Sequence, residues 1–526
     1  MTALENTNYT EQLIGSIKWV LPEIVLVGAA CLLFVLAVFY RSKLVHAGVA
    51  LAAILAAGAL AAIAPEMYSR FEPSYSGIDP TGAAAFIRWF ALGATALFAL
   101  VSYREAKLVH SAEYYGCLLI VGAGVSLVGR ANDLVLLFLA LEMISIPTYV
   151  LLYLPSQTKQ GQEAAVKYFT LSVLSSAVLL FGLSYFYGVA GSTNITTVVA
   201  VLSTATQSGM ASPLALVAAV LVIAGLGFRI AAVPFHFYAP DVYDGGPLGV
   251  VAQLAVFPKL AGFVALARLF GLFDRTTEMI PFDVQHTLIP LTLWVIAVVT
   301  MTLGNVLALL QQGIKRMFAY SGIAHGGYML IGVLVASGTA ATFRNHSGLD
   351  VLLFYLVAYT LMTVGTFAVL AYLNTDDRSV ETLDDLAGLG QTNPFAAALL
   401  SVFLLSLIGM PLTAGFIGKF NLFIAAFEMP TDSKMKSMYR ILTVIAVVNS
   451  AISAVYYLRM LGIMFLRSPL KPVTRTRGAL PLTAAVFCAV GTLVFGVWPT
   501  PLLKLTQEAA PVVTAKLDAV AVARNP

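Results

Sequence analysis

Charge is what this chain has least of. Asp, Glu, Lys and Arg together make up 11% of its 526 residues, and hydrophobic residues make up 59%, against about 25% and 45–50% in soluble domains. So few charges cannot coat a soluble surface of this size, and a membrane protein is expected. Cysteine is scarce too: Cys31, Cys117 and Cys488 lie in separate apolar segments. They show none of the spacings that hold zinc, haem or an iron–sulfur cluster, and are read as small core residues. No Walker loop appears and no Gly-x-Gly-x-x-Gly follows a strand pattern, which argues against nucleotide binding within this chain. A formal net charge of only +4, with dispersed basic residues, argues against a nucleic-acid surface. The start, Met1–Lys18, lacks the basic region and cleavage site of a secretory signal, so the first apolar run is expected to remain a true span.

What is abundant is long apolar runs. They fall at 19–39, 44–64, 82–103, 112–129, 131–153, 164–188, 212–236, 248–272, 288–309, 317–337, 350–373, 396–426, 442–466 and 479–499. Each is near the ~20 residues that cross a bilayer as a helix. The runs are too long and too uniformly apolar for barrel strands, and backbone polar groups need internal partners in lipid, so an all-α integral membrane protein of about fourteen helices is predicted. With the N-terminus outside, the inside loops would hold twelve basic residues: Arg41, Lys43, Arg104, Lys107, Lys159, Lys315, Arg316, Arg378, Arg467, Lys471, Arg475 and Arg477. The outside loops would hold seven: Arg70, Arg130, Arg275, Arg344, Lys434, Lys436 and Arg440. The positive-inside rule therefore favours both termini on the non-cytoplasmic side.

Against that background a few charges stand at mid-span. Lys259 lies in Ala-Val-Phe-Pro-Lys-Leu-Ala-Gly-Phe-Val, Glu142 in Leu-Ala-Leu-Glu-Met-Ile-Ser-Ile, Arg229 in Gly-Leu-Gly-Phe-Arg-Ile-Ala-Ala-Val and Lys419 in Gly-Phe-Ile-Gly-Lys-Phe-Asn-Leu-Phe. At about 1.5 Å per residue Lys259 is roughly 15 Å from either interface, too far to snorkel. Each such group costs about 2.5–3.5 kcal/mol on insertion scales, so four cost roughly 10–14 kcal/mol before compensation. That rivals the whole net stability of a typical protein, about 5–15 kcal/mol. Intramembrane charges of both signs point to an ion pathway, the plainer alternative being ion pairs that only hold the bundle together. Lysine can exist neutral when desolvated and so can pass a proton, with Glu142 as a modulating counter-charge; arginine stays protonated, so Arg229 is read as a fixed charge.

Two of the spans carry helix breakers beside their charges. One reads Gly225-Leu-Gly-Phe-Arg-Ile-Ala-Ala-Val-Pro234-Phe-His236-Phe-Tyr-Ala-Pro240-Asp241, the other Leu407-Ile-Gly409-Met-Pro411-Leu-Thr-Ala-Gly415-Phe-Ile-Gly418-Lys419. Proline frees a carbonyl, which a membrane tolerates only where protein or water satisfies it. Interrupted spans at corresponding places in two halves point to an ion site. Five spans run from 112 to 272 and five from 288 to 466, so the chain divides as 1–110, 111–273, 287–467 and 468–526.

Other residues have two readings. Lys167 lies nearer a helix end, where snorkelling competes with a place in the pathway, and Arg268 and Arg459 read as interfacial anchors or carbonyl caps. His236 and His325 suit proton relay or hydrogen-bonded packing. Lys315 and Arg316 are placed in a short loop, the acidic stretch Asp376–Asp385 in a solvated loop or a subunit contact, and Phe, Tyr and Met in the core or facing lipid.

The strings Ala131-Asn-Asp-Leu-Val-Leu-Leu-Phe-Leu-Ala-Leu-Glu142, Ala232-Val-Pro-Phe-His-Phe-Tyr-Ala-Pro-Asp-Val-Tyr-Asp244, Ile314-Lys-Arg-Met-Phe-Ala-Tyr-Ser-Gly-Ile-Ala-His325 and Gly409-Met-Pro-Leu-Thr-Ala-Gly-Phe-Ile-Gly-Lys419 resemble the antiporter-like N subunits of bacterial NADH–quinone oxidoreductase, respiratory complex I. The match runs through most of the chain. It implies fourteen helices with two inverted five-helix repeats, and protons crossing through a central chain of buried lysines, a glutamate and histidines. Glu142 would be the fifth-helix glutamate, Lys259 the eighth-helix lysine and Lys419 the twelfth-helix lysine. Where the family usually has a seventh-helix lysine this chain has Arg229, leaving water or His236 to carry the proton past it, or Arg229 with the electrostatic role alone. Gly246 and Gly327 stand where alanine is commoner. Lys419, the Pro-Asp-Val-Tyr string and the absence of a long helical C-terminal extension resemble the N subunit more than its L and M relatives.

The resemblance implies a proton-translocating subunit in a bacterial inner membrane, next to other antiporter-like subunits. NADH, FMN, iron–sulfur clusters and quinone would be bound in other subunits, and this chain alone would have no redox activity and no cofactor or metal. A subunit of a multisubunit Na⁺/H⁺ antiporter, with the same fold and buried lysines, is the alternative, and a scaffold whose charges merely pair is a third.

Overall fold

The fold is a helical bundle whose interior holds several of its charges. The structure, a computed structural model, describes residues 17–68, 77–79, 81–103, 108–155, 158–207, 213–273, 288–337, 347–374, 380–429, 433–469 and 478–510. In chain order its helices are α1 (Leu21–Phe39), α2 (Lys43–Tyr68), α3 (Gly82–Val101), α4 (Ser111–Arg130), α5 (Leu134–Tyr153), α6 (Lys159–Ala190), α7 (Ile195–Gln207), α8 (Pro213–Arg229), α9 (Ala239–Gly245) and α10 (Leu248–Leu269). There follow α11 (Leu288–Leu309), α12 (Ile314–Ala336), α13 (Gly348–Leu373), α14 (Pro394–Ile408), α15 (Ala414–Phe427), α16 (Ser433–Leu466), α17 (Ala479–Val497) and α18 (Thr500–Ala509). Among the described residues twelve of these are long and apolar enough to cross a membrane. The shorter apolar α8, α14 and α15 stand where the two breaker-rich runs were expected, so the fourteen expected spans are accounted for as twelve continuous and two interrupted ones.

Local chemistry sets the ends. The Asp133 carboxylate accepts from the first free amides of α5, Val135 N at 2.9 Å and Leu136 N at 3.1 Å. Thr158 caps α6 and Gly191, at φ +67°, ends it. That helix is therefore longer than the expected 164–188, and α16 likewise starts before 442. The sequence reading did not anticipate α7, α9 and α18, which are short and not apolar throughout. One placement is corrected: Lys315 and Arg316 lie in the first turn of α12, not in a loop. Lys315 donates to the carbonyls of Asp244 and Gly246 that end α9. Of the basic residues used for orientation, Arg70, Arg104, Lys107, Arg275, Arg344, Arg378, Lys471, Arg475 and Arg477 lie outside the described residues, as do Asp376 and Asp377 of the acidic stretch.

Every residue of α10 is buried, as is almost all of α12 and α13. Packed around them, α1, α2, α6, α11, α16 and α17 turn large apolar side chains such as Leu55, Leu174 and Val490 outward, as a bundle facing lipid requires. Helix α10 touches α4, α5, α8, α12 and α13, and α15 packs on α12, α13 and α16. These contacts bring Glu142, Arg229, Lys259, His325 and Lys419 into the interior together.

Candidate functional site: a buried line of charge between two helix breaks

The first break ends α8 at Arg229. The carbonyls this exposes are satisfied nearby: Gly227 O accepts from Ala232 N at 2.8 Å, and Phe228 O accepts from Ala231 N and the Tyr238 hydroxyl, each at 3.0 Å. Arg229 is thus not needed as a cap and reaches across to α5 and α6 instead. It donates to Glu142 Oε1 at 2.8 Å, Ser145 Oγ at 2.7 Å, Leu141 O at 3.1 Å and Ser176 Oγ at 3.2 Å. Ser176 in turn donates to Glu142 at 2.6 Å. A planar guanidinium can spread four bonds over two helices in this way, which a lysine cannot.

Next along the interior lies Lys259, 2% exposed at the centre of α10. Among the described residues its ammonium makes one long hydrogen bond, 3.5 Å to the Tyr359 hydroxyl, lies 5.5 Å from the centre of that ring, and forms no ion pair. The space it occupies is made by glycine. A methyl group on Gly322 of α12 would come to 3.0 Å of both Lys259 Nζ and Tyr359 Oη, and one on Gly326, a turn later, would meet the Ile230 carbonyl at 3.2 Å. His325 lies on the same helix between them. Its Nδ1 is 2.6 Å from the Tyr355 hydroxyl and its Nε2 3.4 Å from that of Tyr457, which also bonds Ser321. The rings of Tyr359 and Tyr328 flank it at 5.3 and 5.8 Å.

The second break differs from the first. Helix α14 ends at Gly409, held at φ +95°, and Leu412 follows at φ +70°. Here local amides of Gly409 and Met410 serve Leu405 O and Ser406 O, and the last two carbonyls are capped by charge: Lys419 of α15 donates to Leu407 O at 2.8 Å, Ile408 O at 3.1 Å and Ser450 Oγ at 3.2 Å. All three ammonium protons are used, at the negative end of a helix. The same ammonium lies 5.0 Å from the centre of the Tyr328 ring. Lys259, Tyr359, His325, Tyr328 and Lys419 thus form a continuous buried series from α10 through α12 and α13 to α15.

Comparison with known proteins decides the family. The family described as NADH:quinone oxidoreductase/Mrp antiporter, TM, matches residues 131–453. A relative from Anaeromyxobacter sp. (strain Fw109-5), named NADH-quinone oxidoreductase subunit N, is 36% identical over 513 residues, 94% of this chain and 96% of its own. Another of that name, from Trichlorobacter lovleyi, is 37% identical and covers 93% of this chain and 96% of its own. The chain belongs to this family. A chain of respiratory complex I from Thermus thermophilus with bound aureothin matches with a TM-score of 0.72 at 28% identity, over 92% of this chain and 98% of that one. A chain of the Mrp complex from Dietzia sp. DQ12-45-1b matches at 0.78 but 20% identity, over 97% and 99%, a likeness of fold alone.

For this member of the NADH:quinone oxidoreductase/Mrp antiporter family, the remaining predicted site residues lie off the line. Lys167 is 41% exposed and pairs with Glu163 at 2.7 Å and Asp241 at 3.0 Å; Arg316 holds the other oxygen of Asp241 at 2.8 Å. His236 is half-buried in the first break. Arg268 caps the Val128 and Gly129 carbonyls, one of its two expected uses, and also pairs with Asp79 at 2.7 Å. Arg459, read as an interfacial anchor or a carbonyl cap, is exposed and donates to Gln312 Oε1 at 3.0 Å. The sequence reading missed the fully buried Glu23–Arg88 pair at 2.7 Å, in which Arg88 also holds Trp19 O at 2.6 Å. It also missed the tyrosines around His325. A charge inside the span 82–103 was a visible signal for Arg88; nothing in one sequence singles out four tyrosines among 22.

Proposed function

We propose that the buried series Lys259, Tyr359, His325, Tyr328 and Lys419 is a proton pathway of a membrane subunit N of proton-pumping NADH–quinone oxidoreductase. The observation that carries this is a line of protonatable groups through the most buried helices, joining two interrupted spans. Apolar packing alone would not place two lysines and a histidine there, because each costs free energy that only function or pairing offsets, and among the described residues Lys259 has no ionic partner. Glu142 and Arg229 contribute a fixed ion pair beside the first break, Lys167 and Asp241 a charged group near one end, and His236 a titratable group within the break. NADH, FMN, iron–sulfur clusters and quinone belong to other subunits of the complex, to which this chain adds a proton path and no redox step. The complex lies in a bacterial inner membrane, with both termini of this chain on the non-cytoplasmic side.

The test is acidification of inside-out membrane vesicles on adding NADH, wild type against Lys259→Ala, with NADH oxidation followed in the same sample. Acidification and oxidation are expected to fall together. If both are untouched while sodium-driven proton movement is lost, the chain is an antiporter subunit and this reading is wrong.

A further inference from the structure

His325 is the one group in the buried line with both ring nitrogens in contact with hydroxyls, Tyr355 on one side and Tyr457 on the other. Tyr457 continues the string to Ser321, one turn before His325 on α12. Tyr355, Tyr457, His325 and Ser321 are all buried. A buried hydroxyl is costly unless bonded, and phenylalanine fills the same volume without that cost. The same region uses phenylalanine where only packing is at stake, at Phe318, Phe354 and Phe367. The Tyr355 ring lies against Gly418, the residue before Lys419, where a methyl group would overlap it.

Resting on the proton-pathway reading above, we infer that Tyr355, His325, Tyr457 and Ser321 form a branch of that pathway, a hydrogen-bonded wire that leads from Tyr355 of α13 through His325 to Tyr457 of α16 and on to Ser321 of α12. Tyr355 and Tyr457 are catalytic residues in it, because they touch the nitrogens that exchange protons. The imidazole has one N–H and one bare nitrogen in its neutral form, so a proton entering at Nδ1 and another leaving from Nε2 move charge through the ring without leaving it charged. A proton from a hydronium on the Gly418 side bonds to the Tyr355 oxygen as Tyr355 gives its own to Nδ1. The Nε2–H bond breaks as its proton passes to the Tyr457 oxygen, whose own proton passes to Ser321 Oγ. The Ser321 proton leaves to water. One hydronium is consumed at Tyr355 and one is formed beyond Ser321, and each O–H or N–H broken is replaced by another.

The experiment compares NADH-driven acidification of inside-out vesicles holding the whole complex for wild type, Tyr355→Phe, Tyr457→Phe and Ser321→Ala. Lys259→Ala serves as the pathway control and Tyr115→Phe as a buried tyrosine elsewhere. NADH–ferricyanide activity and native gels report assembly, and each rate is repeated in deuterium oxide. Each of the first three variants is expected to lower acidification roughly a hundredfold, the weak end of what one lost proton-transfer group costs, and to change the deuterium isotope effect, with Tyr115→Phe like wild type. Ser321→Ala removes only one oxygen and keeps the test open if a tyrosine variant fails to assemble. Assembled variants within about twofold of wild type overturn the wire. In that event loss of acidification in Lys259→Ala leaves the proton pathway standing, whereas an unaffected Lys259→Ala overturns the pathway itself.

Discussion

Separating Arg229 from Glu142 tests the first break most directly. In Arg229→Gln the Glu142 carboxylate keeps the Ser176 bond but loses its cation. Removing one member of a buried pair costs about 3–5 kcal/mol because the other charge is left uncompensated. Glu142 is 18% exposed, so water recovers part of this and the lower end applies, about 3 kcal/mol, or roughly a hundredfold in the folded-to-unfolded ratio. Glu142→Gln strands the guanidinium in the same way, though Leu141 O, Ser145 and Ser176 still hold it. In the double variant no charge is left, so its cost is expected to fall below the sum of the singles by about 1–3 kcal/mol. Arg229→Lys restores the cation without the fork and is expected to lie between wild type and Arg229→Gln. Unfolding of the purified chain by SDS in mixed micelles, followed by tryptophan fluorescence, reads these differences. A double variant that loses as much as the two singles added together refutes the coupling and the clamp with it.

Two further outcomes are expected. Gly322→Ala places a methyl group 3.0 Å from Lys259 Nζ and Tyr359 Oη, so NADH-driven acidification should fall while native gels show an assembled complex; wild-type acidification would mean that the position of Lys259 does not matter. Glu23→Gln should destabilise the chain by about 3–5 kcal/mol through the stranded Arg88, whereas Glu23→Leu with Arg88→Leu should cost far less. Comparable losses in the two SDS titrations would show that the pair has no mutual stabilisation.

The bundle, its span count and the two interruptions were legible because each depends on neighbours in sequence. Twenty apolar residues make a span whatever lies beside them, and Pro234 and Gly409-Met-Pro411 break a helix locally. Lys259 and Lys419 were legible for the same reason: a lone charge in an apolar run is a local contradiction. The ends of α6 and α16 were less so, since a cap such as Thr158 can carry a helix beyond the apolar run.

What each charge meets was decided only in three dimensions. Both breaks look alike in sequence, yet Arg229 turns away from its helix end to Glu142, 87 positions earlier, while Lys419 caps the carbonyls 11 and 12 positions before it. The difference follows from what else satisfies the last freed carbonyls: Tyr238 and local amides at the first break, whereas at the second local amides reach only Leu405 and Ser406 and, among the described residues, Ile408 is served by Lys419 and Ser450. His325 and Tyr457 stand 132 positions apart, and Glu23 and Arg88 stand 65 apart. Helical periodicity says which face of a helix a residue occupies, not which distant helix that face meets. Run length and composition suffice to bury charge in a membrane; that the charge forms a line comes from the packing of α10, α12, α13 and α15.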